Sequence, residues 1–266
     1  KGIAWRVLQE SRRENESTKL QLLARLKEIH DRGWIPSVTP RDPGVGDTLE
    51  HALGISRNNS RDPDFHGIEL KASRTSRQGG NRQETRSTLF TRVPDSGLSY
   101  REIVEEYGKI QTPRGGTTPR LQLYETFSCK RINGYGLFLN CNEKKERVEI
   151  HQAIDGERKS DSPSISSWSY ETLKQALAQK HPETFWISAD SKEIEGKEYF
   201  LYQTATYTSK PKIAILPELI ANGVVTLDLA AHVDPATNKW RDHGMLWKIW
   251  KGDLPLLMGE EEVFQL

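Results

Sequence analysis

The stretch from Asp64 to Lys71 constrains the fold more than any other part of this chain, because it joins a turn to a strand. It reads Asp-Phe-His-Gly-Ile-Glu-Leu-Lys, with Gly67 where the backbone can bend back. In a strand, successive side chains alternate between faces, so Glu69 and Lys71 point the same way and Leu70 points toward a core. The pattern predicts a turn that brings Asp64 near Glu69 on a solvated face of the strand.

Two carboxylates and an amine at this spacing suit a site for a divalent cation. Mg²⁺ prefers oxygen ligands and is usually held by one or two carboxylates together with waters. A bound metal acidifies its water, and a neighbouring lysine can orient that water or stabilise a phosphate in its transition state. The alternative is a solvated strand end with a Glu–Lys ion pair, which contributes little to stability. Short patterns of this kind also recur by chance.

The sequence around this stretch makes a catalytic interpretation more specific. Upstream, Leu49, Ala52 and Leu53 recur at helical spacing, and Gly54 can end the helix. Glu50 lies on this short helix, beside its apolar stripe. Downstream, residues 87–91 form a second predicted strand after a basic loop. The order of these elements resembles the PD-(D/E)xK nuclease core. A helix that carries a Glu is followed by a loop, an Asp, a strand that carries Glu-x-Lys, a second loop and a second strand.

More narrowly, the chain resembles the MvaI/BcnI restriction endonuclease family, which is related to the mismatch-repair nickase MutH. The matching segments keep the family's order along most of the chain. They are GDTLEHALGI (46–55), PDFHGIELKAS (63–73), LFTRVP (89–94), the helix start at 168–173, TFWISADSK (184–192) and Asp-His-Gly (242–244).

This resemblance implies a fold of the α/β class in its mixed α+β form, in which helices flank a central mixed sheet. Two lobes are expected to surround a DNA cleft. It also implies that Asp64, Glu69 and the backbone carbonyl of Leu70 hold Mg²⁺, and that Lys71 positions the attacking water or helps to deprotonate it. Glu50 is expected to support these ligands or to hold a second metal. In-line attack on phosphorus would leave a 5′-phosphate and a 3′-hydroxyl.

The resemblance further implies a substrate and a mode of action. Members of the family act as monomers on double-stranded DNA, at short, nearly palindromic C-C-N-G-G sites, and cut the two strands in successive events. A cognate DNA methyltransferase is therefore expected in the host.

Arginines are concentrated in two glycine-containing loops near the acid–lysine motif. Basic loops beside a metal site are suited to binding the phosphate backbone of DNA. A solvated, mobile loop is the alternative for any single arginine. The predicted backbone-binding residues are Arg74, Arg77, Arg82, Arg86 and Arg114.

The predicted base-recognition region lies near the end of the chain. Asp242-His243-Gly244 is interpreted as a loop between the last two strands, and the resemblance implies that such a loop reads base edges. A turn-forming Asp with a surface His is the alternative. Ala230 and Lys248 occupy positions where related proteins carry arginine, which changes the expected base contacts. The other predicted recognition residues are Asp228, His232 and Arg241.

Composition places the chain among globular proteins without a membrane span. It has 266 residues, 35% of them hydrophobic, and a net charge of +1, which excludes an indiscriminate polycation. Cys129 and Cys141 are too few for a disulfide framework, so free thiols in a reducing cytoplasm are expected. We predict one nuclease domain over 1–266, with a catalytic core around 36–155. The first residue is Lys1, which leaves room for an upstream domain.

Three other functions compete with a restriction endonuclease. A MutH-like strand-specific nickase would use the same core residues, and a non-cleaving DNA-binding module would carry an inert acid site. A glycosidase using Glu50 and Glu69 as its acid pair would leave Lys71 and the arginine loops without a role.

Overall fold

The computed structural model forms two compact units. The first contains Lys1–Arg82, Gln179–Pro211 and Met258–Leu266, and the second contains Gln83–Ala178 and Lys212–Leu257. The predicted catalytic core of 36–155 includes residues of both units, and strands beyond residue 180 also belong to the first sheet. The structure describes residues 3–41, 43–55, 64–75, 86–113, 115–159, 161–234 and 236–266.

Six helices and fourteen strands alternate irregularly along the described residues, as the predicted mixed α+β class requires. The helices are α1 (Ile3–Asp31), α2 (Gly44–Leu53), α3 (Tyr100–Tyr107), α4 (Tyr170–Lys180), α5 (Leu216–Ala221) and α6 (Leu254–Leu257). The strands are β1 (Ile35–Pro36), β2 (Glu69–Arg74), β3 (Arg86–Thr91), β4 (Ser96–Gly97), β5 (Lys109–Gln111), β6 (Arg120–Phe127), β7 (Leu137–Asn142), β8 (Arg147–Gln152), β9 (Ser164–Ser169), β10 (Thr184–Ile194), β11 (Lys197–Thr208), β12 (Val225–Val233), β13 (Trp240–Trp250) and β14 (Glu261–Gln265).

The first unit is built on a five-stranded mixed sheet. Its described strands run in the order β1-β11-β10-β2, and β14 also pairs with β11. β2 and β10 are parallel, with Glu69 opposite Thr184 and Lys71 opposite Trp186. The other pairings in this sheet are antiparallel. This register decides which side chains surround the acid–lysine motif.

Two helices supply apolar faces to the core of the first unit. On α2, Leu49 and Leu53 are buried, as the sequence predicts, and Ala52 is partly buried against the same core. Val45, one turn before Leu49, is buried as well. The three buried residues belong to one cluster with Ile68 and Leu70, so the side of β2 opposite Glu69 is indeed the core side. Burial of a side chain of this size contributes about 2 kcal/mol.

The sequence pattern at the start of the chain predicts two helices, at residues 4–13 and 17–32, whereas the structure has one long helix. α1 is continuous from Ile3 to Asp31. The polar residues between the predicted helices contain neither Gly nor Pro, so the backbone is not interrupted. The hydroxyl of Thr18 donates to the carbonyl oxygen of Glu14 (3.0 Å), one turn earlier in the same helix.

The second unit contains two antiparallel sheets. Its described strands are arranged as β3-β13-β12-β6-β5 and as β4-β9-β8-β7. The sequence predicts a hairpin of residues 136–142 and 147–152 around a polar turn, and the structure confirms it as β7 and β8. The two strands are joined by a 3₁₀ turn whose Lys145 N–H donates to the Asn142 side chain. Trp168 and Trp247 are fully buried, in edge-to-face contact with ring centroids 5.4 Å apart.

Two other predictions concern the cysteines and the membrane. The sulfur atoms of Cys129 and Cys141 lie 3.7 Å apart, and both residues are free thiols, as expected. Over the part of the chain that the structure describes, no helix has both the length and the apolar character needed to cross a bilayer.

Candidate active site

The turn before β2 brings Asp64 back to the strand. Phe65 and Ile68 exchange backbone hydrogen bonds of 2.9 and 2.8 Å across it, and Gly67 has a φ of 93°, which favours glycine. The Asp64 Oδ2 atom accepts a hydrogen bond of 3.0 Å from the backbone N–H of Leu70. The predicted return of Asp64 toward Glu69 is therefore confirmed.

The Glu69 carboxylate is held by two lysines. Lys71 Nζ lies 2.7 Å from Oε1, and Lys180 Nζ lies 2.9 Å from Oε2. The Glu69 side chain is only 1% exposed, whereas the two lysine side chains are 31% and 24% exposed. A buried carboxylate requires such partners because its desolvation is costly.

The prediction of a solvated face is wrong for Glu69. The parallel register places Thr184 and Trp186 of β10 beside Glu69 and Lys71 on the same face of the sheet. The His181 ring stacks on Trp186 with centroids 5.8 Å apart, and His181 and Thr184 are themselves buried. Residues distant in sequence therefore cover the carboxylate.

Lys180 is the residue of this site that sequence reasoning missed. It is the last residue of α4, shortly before β10 begins. Nothing in its local sequence distinguishes it from a solvated lysine at a helix end. The pairing of β2 with β10 gives it its position, and a sequence-based prediction of that pairing would have been needed to find it.

The two carboxylates repel each other. Burial raises the pKa of Asp64 above its ordinary value, and the neighbouring Glu69 carboxylate raises it further. The N–H of Leu70 and the ammonium groups of Lys180 and Lys71 act in the opposite direction without cancelling this effect. In the metal-free protein, ionised Asp64 is thus less favourable than it would be in water.

Glu50 lies on α2, and the predicted helix and its glycine stop are both confirmed. Gly54 has a φ of 76°, and its N–H donates to the carbonyl oxygens of Glu50 and His51. The Glu50 side chain is half-buried. α2 and β2 share one core through Leu49 and Leu70, which fixes the helix against the strand that carries Glu69.

This donor set fits a hard divalent cation. Two carboxylates that repel each other in a partly buried site are stabilised by a positive charge between them. Among the described residues, no group of three or more His, Cys, Asp or Glu side chains is arranged to hold a metal. The remaining ligands would come from a backbone carbonyl and water, which Mg²⁺ accepts.

Comparison with known proteins identifies the family. The model of the MvaI/BcnI restriction endonuclease family matches residues 23–258. The chain belongs to this family. A solved complex of restriction endonuclease MvaI with its cognate DNA substrate is similar, with a TM-score of 0.75 and 25% identity over 92% of this chain and 97% of that one. MvaI in the absence of DNA gives a TM-score of 0.50 and 24% identity over 91% and 96%. A search of curated proteins found no match.

Membership of the MvaI/BcnI family supports a site-specific nuclease with a mixed α+β fold. The catalytic roles of Asp64, Glu69 and Lys71 stay a prediction from the sequence.

The predicted backbone-binding arginines of this MvaI/BcnI family member differ in their surroundings. Arg74 forms a bidentate pair with Glu198, at 2.7 Å for each oxygen, and also donates to the Arg41 carbonyl oxygen. Its guanidinium stacks over the Phe200 ring, 5.1 Å from the centroid. These contacts hold Arg74 within the first unit. Arg77, Arg82 and Arg114 lie outside the described residues.

Three predicted DNA-binding residues of the second unit pair with one another. Arg86 binds Asp228 through two hydrogen bonds of 2.6 and 2.9 Å, and Lys248 Nζ lies 3.0 Å from Asp228 Oδ2. Burial alone would raise the pKa of Asp228, but hydrogen bonds from Arg86, Thr126 and Lys248 hold it below its ordinary value. The charge of the Asp228 carboxylate is thus satisfied within the protein, and the three residues together keep one positive charge.

The prediction that Asp242-His243-Gly244 forms a loop is wrong, because the three residues lie within β13. Asp242 pairs with Ala231 and Arg241 with His232 in a continuous ladder that contains a bulge near Ala230. Gly244 has a φ of 81°, and its N–H donates to Asp242 Oδ1 (2.8 Å). A bulge accommodates such a glycine inside a strand, so the glycine did not mark a loop.

An exposed basic and aromatic group surrounds His232. Its Nδ1 atom lies 2.9 Å from the Tyr124 hydroxyl, and the Arg120 guanidinium lies over the Tyr124 ring at 5.6 Å. Partial burial lowers the pKa of His232, and Arg120, Arg241 and His243 lower it further. Tyr124 was not predicted, because its relation to His232 arises from the pairing of β6 with β12.

Proposed function

We propose that this chain is a Mg²⁺-dependent type II restriction endonuclease that hydrolyses both strands of double-stranded DNA at a short, CCNGG-like pseudopalindromic site. It would act as a monomer that nicks each strand in turn, in a cytoplasm that also contains a cognate DNA methyltransferase. The observation that carries the proposal is the buried Glu69 with Asp64 and Lys71 beside it. The similarity to a member solved with cognate DNA supports the choice of substrate.

The residues of the site have distinct proposed roles. Asp64, Glu69 and the Leu70 carbonyl would hold Mg²⁺, which when bound acidifies a water and offsets negative charge on the phosphate. Lys71 would orient the attacking water and stabilise the phosphate as its charge increases. Glu50, on α2, would support the ligand arrangement. Attack in line breaks the bond between phosphorus and the 3′ oxygen, leaving a 3′-hydroxyl and a 5′-phosphate.

The exposed group around His232 is the proposed region of base recognition. His232, Arg241, Asp242 and His243 offer donors and acceptors for base edges on neighbouring strands. Asp228, Arg86 and Lys248 would contribute by holding the strands in register rather than by contacting bases.

The raised pKa of Asp64 predicts a coupling between Mg²⁺ and pH. A proton on Asp64 competes with the cation, so the Mg²⁺ concentration that gives half-maximal cleavage should increase as the pH falls toward the pKa of Asp64. Initial nicking rates measured over an acidic-to-neutral series at several Mg²⁺ concentrations test this. More Mg²⁺ should move the acid limb to lower pH, and an acid limb that ignores Mg²⁺ would contradict the prediction.

Digestion of a supercoiled plasmid separates the competing functions. A monomer that cuts the strands successively should first convert supercoiled DNA to open circles and then to linear molecules. A time course that stops at open circles would favour a MutH-like nickase, and retarded but uncut DNA would favour a binding module. Sequencing the ends of linear products from a longer DNA would give the site and the cut position.

A further inference from the structure

Lys180 contacts one of the two Glu69 carboxylate oxygens that could bind a metal. Its Nζ atom lies 2.9 Å from Oε2, while Lys71 lies 2.7 Å from Oε1. Lys71 comes from the same strand as Glu69, whereas Lys180 comes from the end of α4. The two lysines therefore contact the carboxylate from separate elements of secondary structure.

The charges of this group balance in the absence of a cation. Asp64 and Glu69 carry two negative charges, and Lys71 and Lys180 carry two positive charges at short range. A divalent cation at Glu69 must compete with ammonium groups already in contact with both oxygens. Charges this close interact strongly where water is largely excluded, so each ammonium disfavours the cation.

Lys180 also restricts the rotation of Glu69. An ammonium group lies 2.7 Å from Oε1 and another 2.9 Å from Oε2, so the two charges favour one orientation of the carboxylate. The contact at Oε2 is an ion pair rather than a hydrogen bond within the described residues, and without Lys180 the carboxylate could turn about its terminal bond. Metal-dependent hydrolysis requires ligands fixed in position before the reaction. Lys180 therefore affects both how strongly the cation binds and how well its ligand is oriented.

We propose that Lys180 is a positioning residue that acts through Glu69, weakening cation binding while fixing the carboxylate for turnover. This inference rests on the proposed function. It assigns to a lysine outside the acid–lysine motif a share in setting the metal requirement of the enzyme.

Replacement of Lys180 by methionine tests both effects. In the full chain without DNA, Mn²⁺ binding followed by the loss of its free electron paramagnetic resonance signal should become tighter, by about ten-fold. With DNA and saturating Mg²⁺, kcat should fall on the order of ten-fold while KM for DNA stays unchanged. A merely structural lysine would not give tighter metal binding together with slower turnover.

Two further variants keep the test interpretable. Lys180→Arg preserves the positive charge and should retain Mn²⁺ affinity near that of the wild type. Lys174→Met removes a lysine earlier on α4 and should leave both measurements unchanged. Mn²⁺ affinity that is equal or weaker in Lys180→Met, with an unaltered thermal unfolding profile, would overturn the proposal.

Failure of this inference is distinguishable from failure of the proposed function. If the wild type cleaves DNA and Lys180→Met has the same Mn²⁺ affinity, only the role of Lys180 is rejected. If the wild type cleaves nothing with Mg²⁺, the function is rejected, and the Mn²⁺ titrations still show whether Lys180 opposes a cation at Glu69.

Discussion

Replacement of Lys71 by alanine should reduce the rate of DNA cleavage at saturating Mg²⁺ by about 10³-fold. The ammonium beside Glu69 is the only cation of the acid–lysine motif itself, and its loss removes both an anchor of the metal ligand and the group that orients water. Single-turnover cleavage of a supercoiled plasmid measures this rate directly. DNA binding should persist in a gel-shift assay performed with Ca²⁺.

Asp64→Ala should lower cleavage to a similar extent, since half of the carboxylate pair is lost. Asp64→Asn offers a control for folding. The folded-state pKa of Asp64 is raised, so its ionisation opposes folding at pH values above that pKa, and this penalty is relieved as the pH falls. At neutral pH with a chelator present, Asp64→Asn should therefore unfold at a temperature no lower than the wild type while remaining inactive.

A matched lysine variant completes this test. Lys197, at the start of β11 in the same unit, is exposed, and Lys197→Ala should cleave like the wild type. A Lys71→Ala or Asp64→Ala protein that cleaved at near wild-type rate would show that the catalytic centre lies elsewhere.

The second large effect concerns stability. Arg86→Ala should destabilise the sheet of the second unit by about 3 kcal/mol, because it leaves Asp228 largely buried with fewer partners. The Arg86 and Asp228 side chains are only 22% and 13% exposed, so water screens this pair weakly. Hydrogen exchange at the amides of β3 and β12 reports on this sheet without assuming that both units unfold together.

An exposed ion pair in the same unit provides the control for Arg86. Lys159 contacts Asp155 at 2.7 Å, but the Asp155 side chain is 81% exposed, so Lys159→Ala should cost less than about 1 kcal/mol. If Arg86→Ala left hydrogen exchange unchanged but abolished DNA binding, the guanidinium would have the role in DNA contact that the sequence suggested.

Local patterns predicted much of the first unit. Gly67 and the alternation around Leu70 predicted the turn and the buried side of β2, and the apolar spacing on α2 predicted the helix that carries Glu50. The β7–β8 hairpin followed from two strands around a polar turn. These features depend on neighbouring residues, so one stretch of sequence contains the information that determines them.

Long-range pairing accounts for what the sequence did not reveal. Burial of Glu69 and the contact with Lys180 depend on the register of β2 against β10, and the Arg86–Asp228 pair depends on strands brought together in the second unit. Gly244 suggested a loop at Asp242, but both residues lie in β13. A bulge in the β12–β13 pairing accommodates the glycine inside the strand. The periodicity of apolar residues within a segment carries no information about which distant strand will pair with it.

The parallel pairing of β2 with β10 has a consequence for synthesis of the protein. The segment Gln83–Ala178 of the second unit lies between these two strands in the chain. A nascent chain therefore contains Asp64, Glu69 and Lys71 well before it contains the strand and the lysine that enclose Glu69. Because parallel pairing over such a separation is slow to form, a nascent chain would enclose Glu69 and become able to cut DNA only after β10 has been synthesised.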